Sequence, residues 1–390
     1  MVDRGKVTFA GLPVSVPRGR ALVGRRSRRS AGRLIPLREL RPQDVAAWGD
    51  LALRAVEPNP FFEPEFVLPA ARHLGGSDVG LLVVEGHDRE WLACMPVIPR
   101  LKRGRTTLPA ITAWRAPPYG CLGTPLVAEP TVELATERLI EHALHTSRVG
   151  IVALPLLGDE GPVVAAVRGR PATRHAPFER PVWRRGSRAD LEGTLSPHHR
   201  GEIRRLARRL EEELGAPLRV RDEAERAGSV EDFMTVEASG WKGQRGTALN
   251  ANEAHARFFR EMCAAFRASG GLQLLELGTG SRVASSKCNL LAGDCVFHFK
   301  IAFDEALRPF RPGLQLEVRM IELFQQRMDQ TWMDSCAPAG NKAFEQLWPE
   351  RQPIASYVLA ASRTVSWLIN HRPTVPSARS RDARATGRPD

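Results

Sequence analysis

Apolar residues recur at helical spacing in "RPQDVAAWGDLALRA" (41–55), and the pattern continues through the Pro-punctuated "NPFFEPEFVLPAARHL" (59–74). The period then changes. "VGLLVVEGHDREWLACMPVIPR" (79–100) reads as two strands around the turn "GHDR", and a Pro/Gly-rich loop follows in "RAPPYGCLGTPL" (115–126). A helix over 131–147, the continuous apolar strand "GIVALPLL" (150–157), a short helix near 160–168 and a strand near 179–184 complete an α/β first half.

The second half starts with "LSPHHRGEIRRLARRLEEELG" (195–215), a helix with Ile203, Leu206, Leu210 and Leu214 on one face and charges elsewhere. Helices are expected at about 229–240 and 252–269. Three strands then fall at "LQLLELGTG", "SRVASSKCNLLAG" and "DCVFHFKIAFD", separated by Gly-containing turns, which makes an antiparallel meander. A helix in "LQLEVRMIELFQQRM", a short strand in "TWMDSCA" (331–337) and helices at about 341–348 and 353–369 follow. This order partly echoes the first half, without a convincing sequence repeat.

Length sharpens the picture: 390 residues exceed one ordinary core, and two domains are expected. The net charge of +12 suggests nucleic acid until it is divided along the chain. Residues 1–34 carry +8 and residues 371–390 carry +3, so the body is nearly neutral and both ends read as disordered basic tails. Arginine outnumbers lysine by 50 to 6, which fits genome composition better than selected phosphate contacts, so a nucleic-acid partner is not expected. The six cysteines show no metal-ligand spacing, so no metal is expected, and their apolar settings point to a reducing compartment. No segment approaches 18 uninterrupted apolar residues, and a soluble cytoplasmic protein is expected.

Candidate chemistry gathers at "FHFKIAFDEALRPFRPGLQLEVRMIELF" (297–324), where a strand meets a Pro-Gly step and a helix. By a period of two, Cys295, Phe297, Phe299, Ile301 and Phe303 form a core face. His298, Lys300 and Asp304 share the opposite face in a row ending at the helix N-terminus. Exposed N–H groups and the positive end of the helix dipole make that terminus an anion site. Pro312 fixes the approach and Gly313 leaves room for a pyrophosphate. Ser285, Ser286 and Lys287 are consecutive, so Ser286 points away from its neighbours, and a Ser/Lys hydrolytic dyad is set aside.

The order of three strands, Gly-bearing turn, helix, strand and helix resembles the core of the GNAT acyltransferases. "W-K-G" (241–243), "FKIAFDEALRPFRPGLQL" (299–316) and "MDSCAPAGNKAFEQLW" (333–348) resemble more closely the CelD-type acetyltransferases of cellulose and exopolysaccharide production. Those in turn are similar to FemAB-type proteins built from two GNAT-like domains. "W-G-D-L" (48–51) and "NPFFEPEF" (59–66) resemble the opening of that family.

The resemblance implies two tandem GNAT-like α/β domains, 35–190 and 191–370, with mixed, mostly antiparallel sheets flanked by helices. It implies transfer from acetyl-CoA or another acyl-CoA to an amine or hydroxyl of a saccharide or small metabolite, by direct attack. Asp304 would be the base or orienting group, with Lys300, His298 and Asp334 beside it. Phe310, Arg311, Pro312, Gly313, Leu314 and Gln315 would hold the pyrophosphate, and Trp241 and Lys242 would wall the acceptor. The chain departs from the general phosphate motif at Phe310 and Gln315. Its only tyrosines are Tyr119 and Tyr357, so the role that a tyrosine often fills in these folds, proton donation to the CoA thiolate, is expected to be absent or filled by water. Two rival readings follow: an aminoacyl-tRNA-dependent FemAB-like transferase, and a non-catalytic GNAT-like binding protein. A homodimer is compatible with the sequence but nothing in it requires one.

Overall fold

The computed structural model of the protein describes residues 32–103, 106–186, 195–240, 246, 248–280, 282–326, 329–341 and 347–362. The basic arm up to residue 31 and the tail 371–390 lie outside them. The last residues expected in the arm are a strand: β1 (Gly32–Pro36) pairs antiparallel with β2 (Gly80–Glu85).

The first half continues with α1 (Pro42–Leu53), α2 (Pro64–His73), β3 (Trp91–Ile98), the β4–β5 hairpin (Leu101–Arg103, Thr106–Leu108), β6 (Ile111–Ala113) and β7 (Leu126–Val127). It closes with α3 (Val132–Thr146), β8 (Ile151–Gly158), α4 (Pro162–Arg168) and β9 (Ala172–Arg184). The second half comprises α5 (Pro197–Leu214), β10 (Arg219–Asp222), α6 (Ser229–Ser239), α7 (Glu253–Ala268) and the meander β11 (Leu272–Gly278), β12 (Val283–Ala292) and β13 (Cys295–Phe303). α8 (Pro312–Gln326), β14 (Trp332–Asp334) and β15 (Glu350–Ala360) follow.

The sheet corrects two expectations. The helix expected over 353–369 is instead β15, a strand, through Ala360. A short, continuous apolar run such as "IASYVLA" fits a buried strand or a buried helix equally by pattern. Its neighbours decide the matter, because β15 lies between β8 and β9 and pairs antiparallel with both, two strands supplied by the first half. β9, in turn, pairs with β14 of the second half. The halves therefore share one 13-stranded mixed sheet, ordered β1-β2-β3-β6-β8-β15-β9-β14-β13-β12-β11-β10 with β7 on β3, in place of two separate sheets.

The core is shared as well. Phe61 and Phe66 from the first half meet Phe297, Phe299 and Phe258 from the second, with Phe66–Phe258 centroids 5.5 Å apart and edge-to-face. Such aromatic pairs add to area burial. A second core, with Leu316, Ile321, Met333 and Trp348, lies beneath α8 on the other face of the sheet.

Candidate active site

The parallel pair β13–β14 holds only from Cys295↔Trp332 to Phe297↔Asp334. Beyond it β13 runs on to Phe303 while the other chain turns away, with Cys336 in the left-handed region at φ 52°. A fork opens there in the middle of the sheet.

β13 carries a bulge at the same point. Cys288 pairs with Lys300 and Asn289 with His298, so Phe299 is the extra residue. One inserted residue reverses the alternation. His298 and Lys300, expected side by side, therefore face opposite sides of the sheet, and the expected row of His298, Lys300 and Asp304 does not form.

On the α8 side, His298 is buried edge-to-face on Trp348, 4.7 Å between centroids. Glu317 of α8 accepts from Trp348 Nε1 (3.0 Å), forms a buried ion pair with Lys287, and lies 3.7 Å from His298 Nδ1. Burial holds the imidazole well below its ordinary pKa, and the Lys287 charge adds to this. Burial also lowers the Lys287 ammonium, against the pull of Glu317.

On the opposite face, Lys300 Nζ lies 3.1 Å from Glu237 Oε1 of α6 and 5.5 Å from the ring centroid of Tyr119. Glu237 is itself buried, and its second oxygen accepts from the Leu249 amide (2.8 Å). Tyr119, brought in by the Pro/Gly loop of the first half, hydrogen-bonds through its hydroxyl to His255 Nδ1 of α7 (2.5 Å). Burial raises the Tyr119 phenol, with the Glu237 charge adding to it. His255 is lowered by burial and by Lys300. The arrangement is a cation, a phenol and a neutral imidazole meeting between the two halves.

At the base of the fork, Asp334 is fully buried against the equally buried Arg180 of β9 (3.2 Å) and accepts from the Cys336 amide (2.6 Å). Arg180 also donates to the Cys121 carbonyl (2.7 Å). The Cys121 thiol is held below its ordinary pKa by a hydrogen bond with Cys336 and by the Arg180 and Arg115 charges, against burial.

The expected pyrophosphate cradle is partly occupied by protein. Asp304 caps the 3-10 turn Glu305–Phe310 through the Ala306 amide (3.0 Å) and pairs with Arg282 (2.6 Å). Gln315 is buried and donates to the Ile203 carbonyl of α5 (3.0 Å), and Arg311 lies 3.4 Å from Glu202 of the same helix. Phe310 packs under Arg209, 5.6 Å from its guanidinium. Leu314 leans on the core beneath α8, and Ser285 donates to the Pro312 carbonyl (2.9 Å). Gly313 keeps its freedom: a Cβ there would meet only Ile301 and Phe303 side chains at 3.6 and 3.7 Å. α5 also presents exposed Arg204, Arg205, Arg208 and Arg209 beside this terminus. Trp241, Lys242 and residues 342–346 lie outside the described residues.

Tyr119, Glu237, His255 and Arg180 were not singled out by sequence. Tyr119 stood out only as one of two tyrosines; Arg180 follows Glu179 in a strand that also carries Arg174 and Arg184, and Glu237 and His255 look like ordinary helix-surface residues, so none of these three gives a signal along the chain. Among the described residues no His, Cys, Asp and Glu group could hold a metal, and no helix is long and apolar enough to cross a membrane.

Residues 197–362 match the family described as "Acetyltransferase (GNAT) domain". No curated protein sequence matches the chain significantly. Among solved structures the chain is similar to FemX, at 12% identity and TM-score 0.54, over 84% of this chain and 98% of that one. It is also similar to the C-terminal domain of a putative lysylphosphatidylglycerol synthetase from Agrobacterium fabrum, at 12% identity and TM-score 0.53, over 84% and 94%. A conserved protein of unknown function from Bacteroides thetaiotaomicron matches at 12% identity and TM-score 0.50, over 83% and 99%. The likeness reaches no finer family such as the CelD-type acetyltransferases: the chain shares the fold of these structures, and the GNAT-domain match is confined to its second half.

Proposed function

We propose that the protein is a FemAB-like acyltransferase that takes an aminoacyl group from the ribose ester of an aminoacyl-tRNA and passes it to an amine. The observation that carries this reading is the crowding of the α8 N-terminus. α5 holds Gln315 and Arg311 there, and Phe310 packs under α5's Arg209, while the same helix presents a row of arginines suited to a longer polyanion. Likeness to FemX over 84% of this chain supports the same choice.

In this reading the ester carbonyl enters the β13–β14 fork. The acceptor amine attacks the carbonyl carbon, the C–O bond to the ribose breaks, and the amine's surplus proton leaves as the ribose hydroxyl forms. Lys300, held by Glu237, stabilises the developing oxyanion. Tyr119, whose phenol stays protonated, relays a proton with neutral His255. Asp334 and Arg180 fix the fork, and His298 with Glu317 supports β13 from behind. The pairing of β15 with β8 and β9, and of β9 with β14, supports the two halves acting as one catalytic unit.

A second reading, acyl-CoA as donor, is favoured by Gly313, where the backbone at the helix N-terminus has no side chain to screen a pyrophosphate. The two are separated by melting the full chain with acetyl-CoA or with bulk aminoacyl-tRNA, and by following transfer of labelled amino acid or acetyl to a panel of amines. A ligand at a hundred times its Kd adds about 2.7 kcal/mol, enough for a clear shift. A shift and transfer with aminoacyl-tRNA alone bear out the proposal. A shift with acetyl-CoA that a Gly313→Asp variant loses replaces the donor, and no shift with either overturns both readings.

A further inference from the structure

We propose that the first half holds a separate binding site for a small anionic molecule with an apolar body, in the groove where β6 and β8 part. The two strands run parallel only at Ile111↔Val152 and Thr112↔Ala153, joined through α3. This repeats the connection β13–α8–β14, so the first half carries its own fork.

That fork opens into a groove of about 400 Å³, within the range of small-molecule sites. One side is apolar, with the Trp114 ring and Ala153. The β4–β5 hairpin and the chain leading into it bring Lys102 and Arg100, and the chain after β6 brings Arg115. The lining holds three cations and no carboxylate.

Two of those cations have fixed partners. Arg100 pairs with Asp78, which lies outside the lining, and Arg115 donates to the Gly120 carbonyl. Lys102 is exposed and makes no ion pair among the described residues. The hydroxyl of Thr112, in the floor, also finds no hydrogen-bond partner there. A negative head at Lys102 with a flat apolar body on Trp114 satisfies both the charge and the surface. A free amine meets like charge there, and an uncharged sugar leaves Lys102 without a counter-charge.

The test is calorimetric titration of the full-length protein with 1-naphthyl phosphate, 1-naphthoate and neutral 1-naphthol. At least one of the anions is expected to bind, and naphthol about tenfold more weakly or not at all. Lys102→Glu is expected to weaken the anion about fivefold or more, and Ala153→Leu, which fills the groove, to abolish binding. Gly313→Asp should leave it unchanged, which separates this site from the donor site of the second half. Which anion binds decides between phosphate and carboxylate. No heat from either at millimolar concentration, equal binding of naphthol, or wild-type affinity in Lys102→Glu overturns the proposal. Should Ala153→Leu fail to melt like the wild type, the surface variant Lys102→Glu decides alone.

Discussion

Replacing Asp334 with Ala removes the carboxylate that faces Arg180 where β9 of the first half crosses to β14 of the second. Both side chains are at most 1% exposed, so solvent cannot compensate. The guanidinium keeps the Cys121 carbonyl, while its Nε already lacks a partner among the described residues. Breaking a buried pair from one side costs about 3–5 kcal/mol. The Cys336 amide loses its acceptor as well, which adds about 1 kcal/mol. Each kcal/mol shifts the Tm of a large domain by about 2 °C, so Asp334→Ala should melt about 8–12 °C lower.

The double variant Arg180→Leu with Asp334→Asn removes the charge and keeps an oxygen for the Cys336 amide. It should recover most of the loss, because a well-packed apolar replacement of a buried pair is close to neutral. Calorimetry on the wild type, Arg180→Leu, Asp334→Asn and the double variant measures the coupling. An Asp334→Ala Tm within 2 °C of the wild type, or a double variant as unstable as the summed singles, would refute the reasoning.

Three further outcomes are expected. Burial pushes the Glu63 carboxyl from its ordinary 4.5 up to about 8, with the Glu65 charge adding to it. Its folded pKa lies above its unfolded one, so its stabilising contribution is complete below about 4.5 and is lost as pH rises through about 8. Glu63→Gln should flatten the fall in Tm between pH 5 and pH 8, and parallel wild-type and variant curves would count against it. Lys300→Met should lower the transfer rate at saturating substrate about a hundredfold with a smaller effect on KM, since its role is in the transition state; an unchanged rate removes Lys300 from the chemistry. Gly313→Ala should leave Tm unchanged or raise it by up to about 2 °C, because its Cβ meets only ordinary contacts and alanine favours helix; a large loss would mean that the α8 terminus is tighter than its geometry shows.

Local pattern carried the meander β11–β12–β13, the helices α6, α7 and α8, and the strand-to-helix junction at Pro312–Gly313, because each depends on periodicity and turn chemistry within a few residues. The mixed α/β class followed from their order, whereas the expectation of two separate sheets did not hold. Tertiary structure decided the rest. β15 is a strand because β8 and β9 flank it, although its apolar run has no period of its own to say so. The bulge at Phe299 follows from register against β12, and it sends His298 and Lys300 to opposite faces against an unbroken period of two. Asp304 and Gln315 had the chemistry for a site but are engaged by protein: Asp304 caps its own turn at Ala306, a local contact, while its pairing with Arg282 and that of Gln315 with Ile203 are contacts that no spacing along the chain announces. Tyr119, His255, Glu237 and Lys300 meet from four separate segments, and such a meeting is a property of packing between the halves and not of any one stretch of sequence.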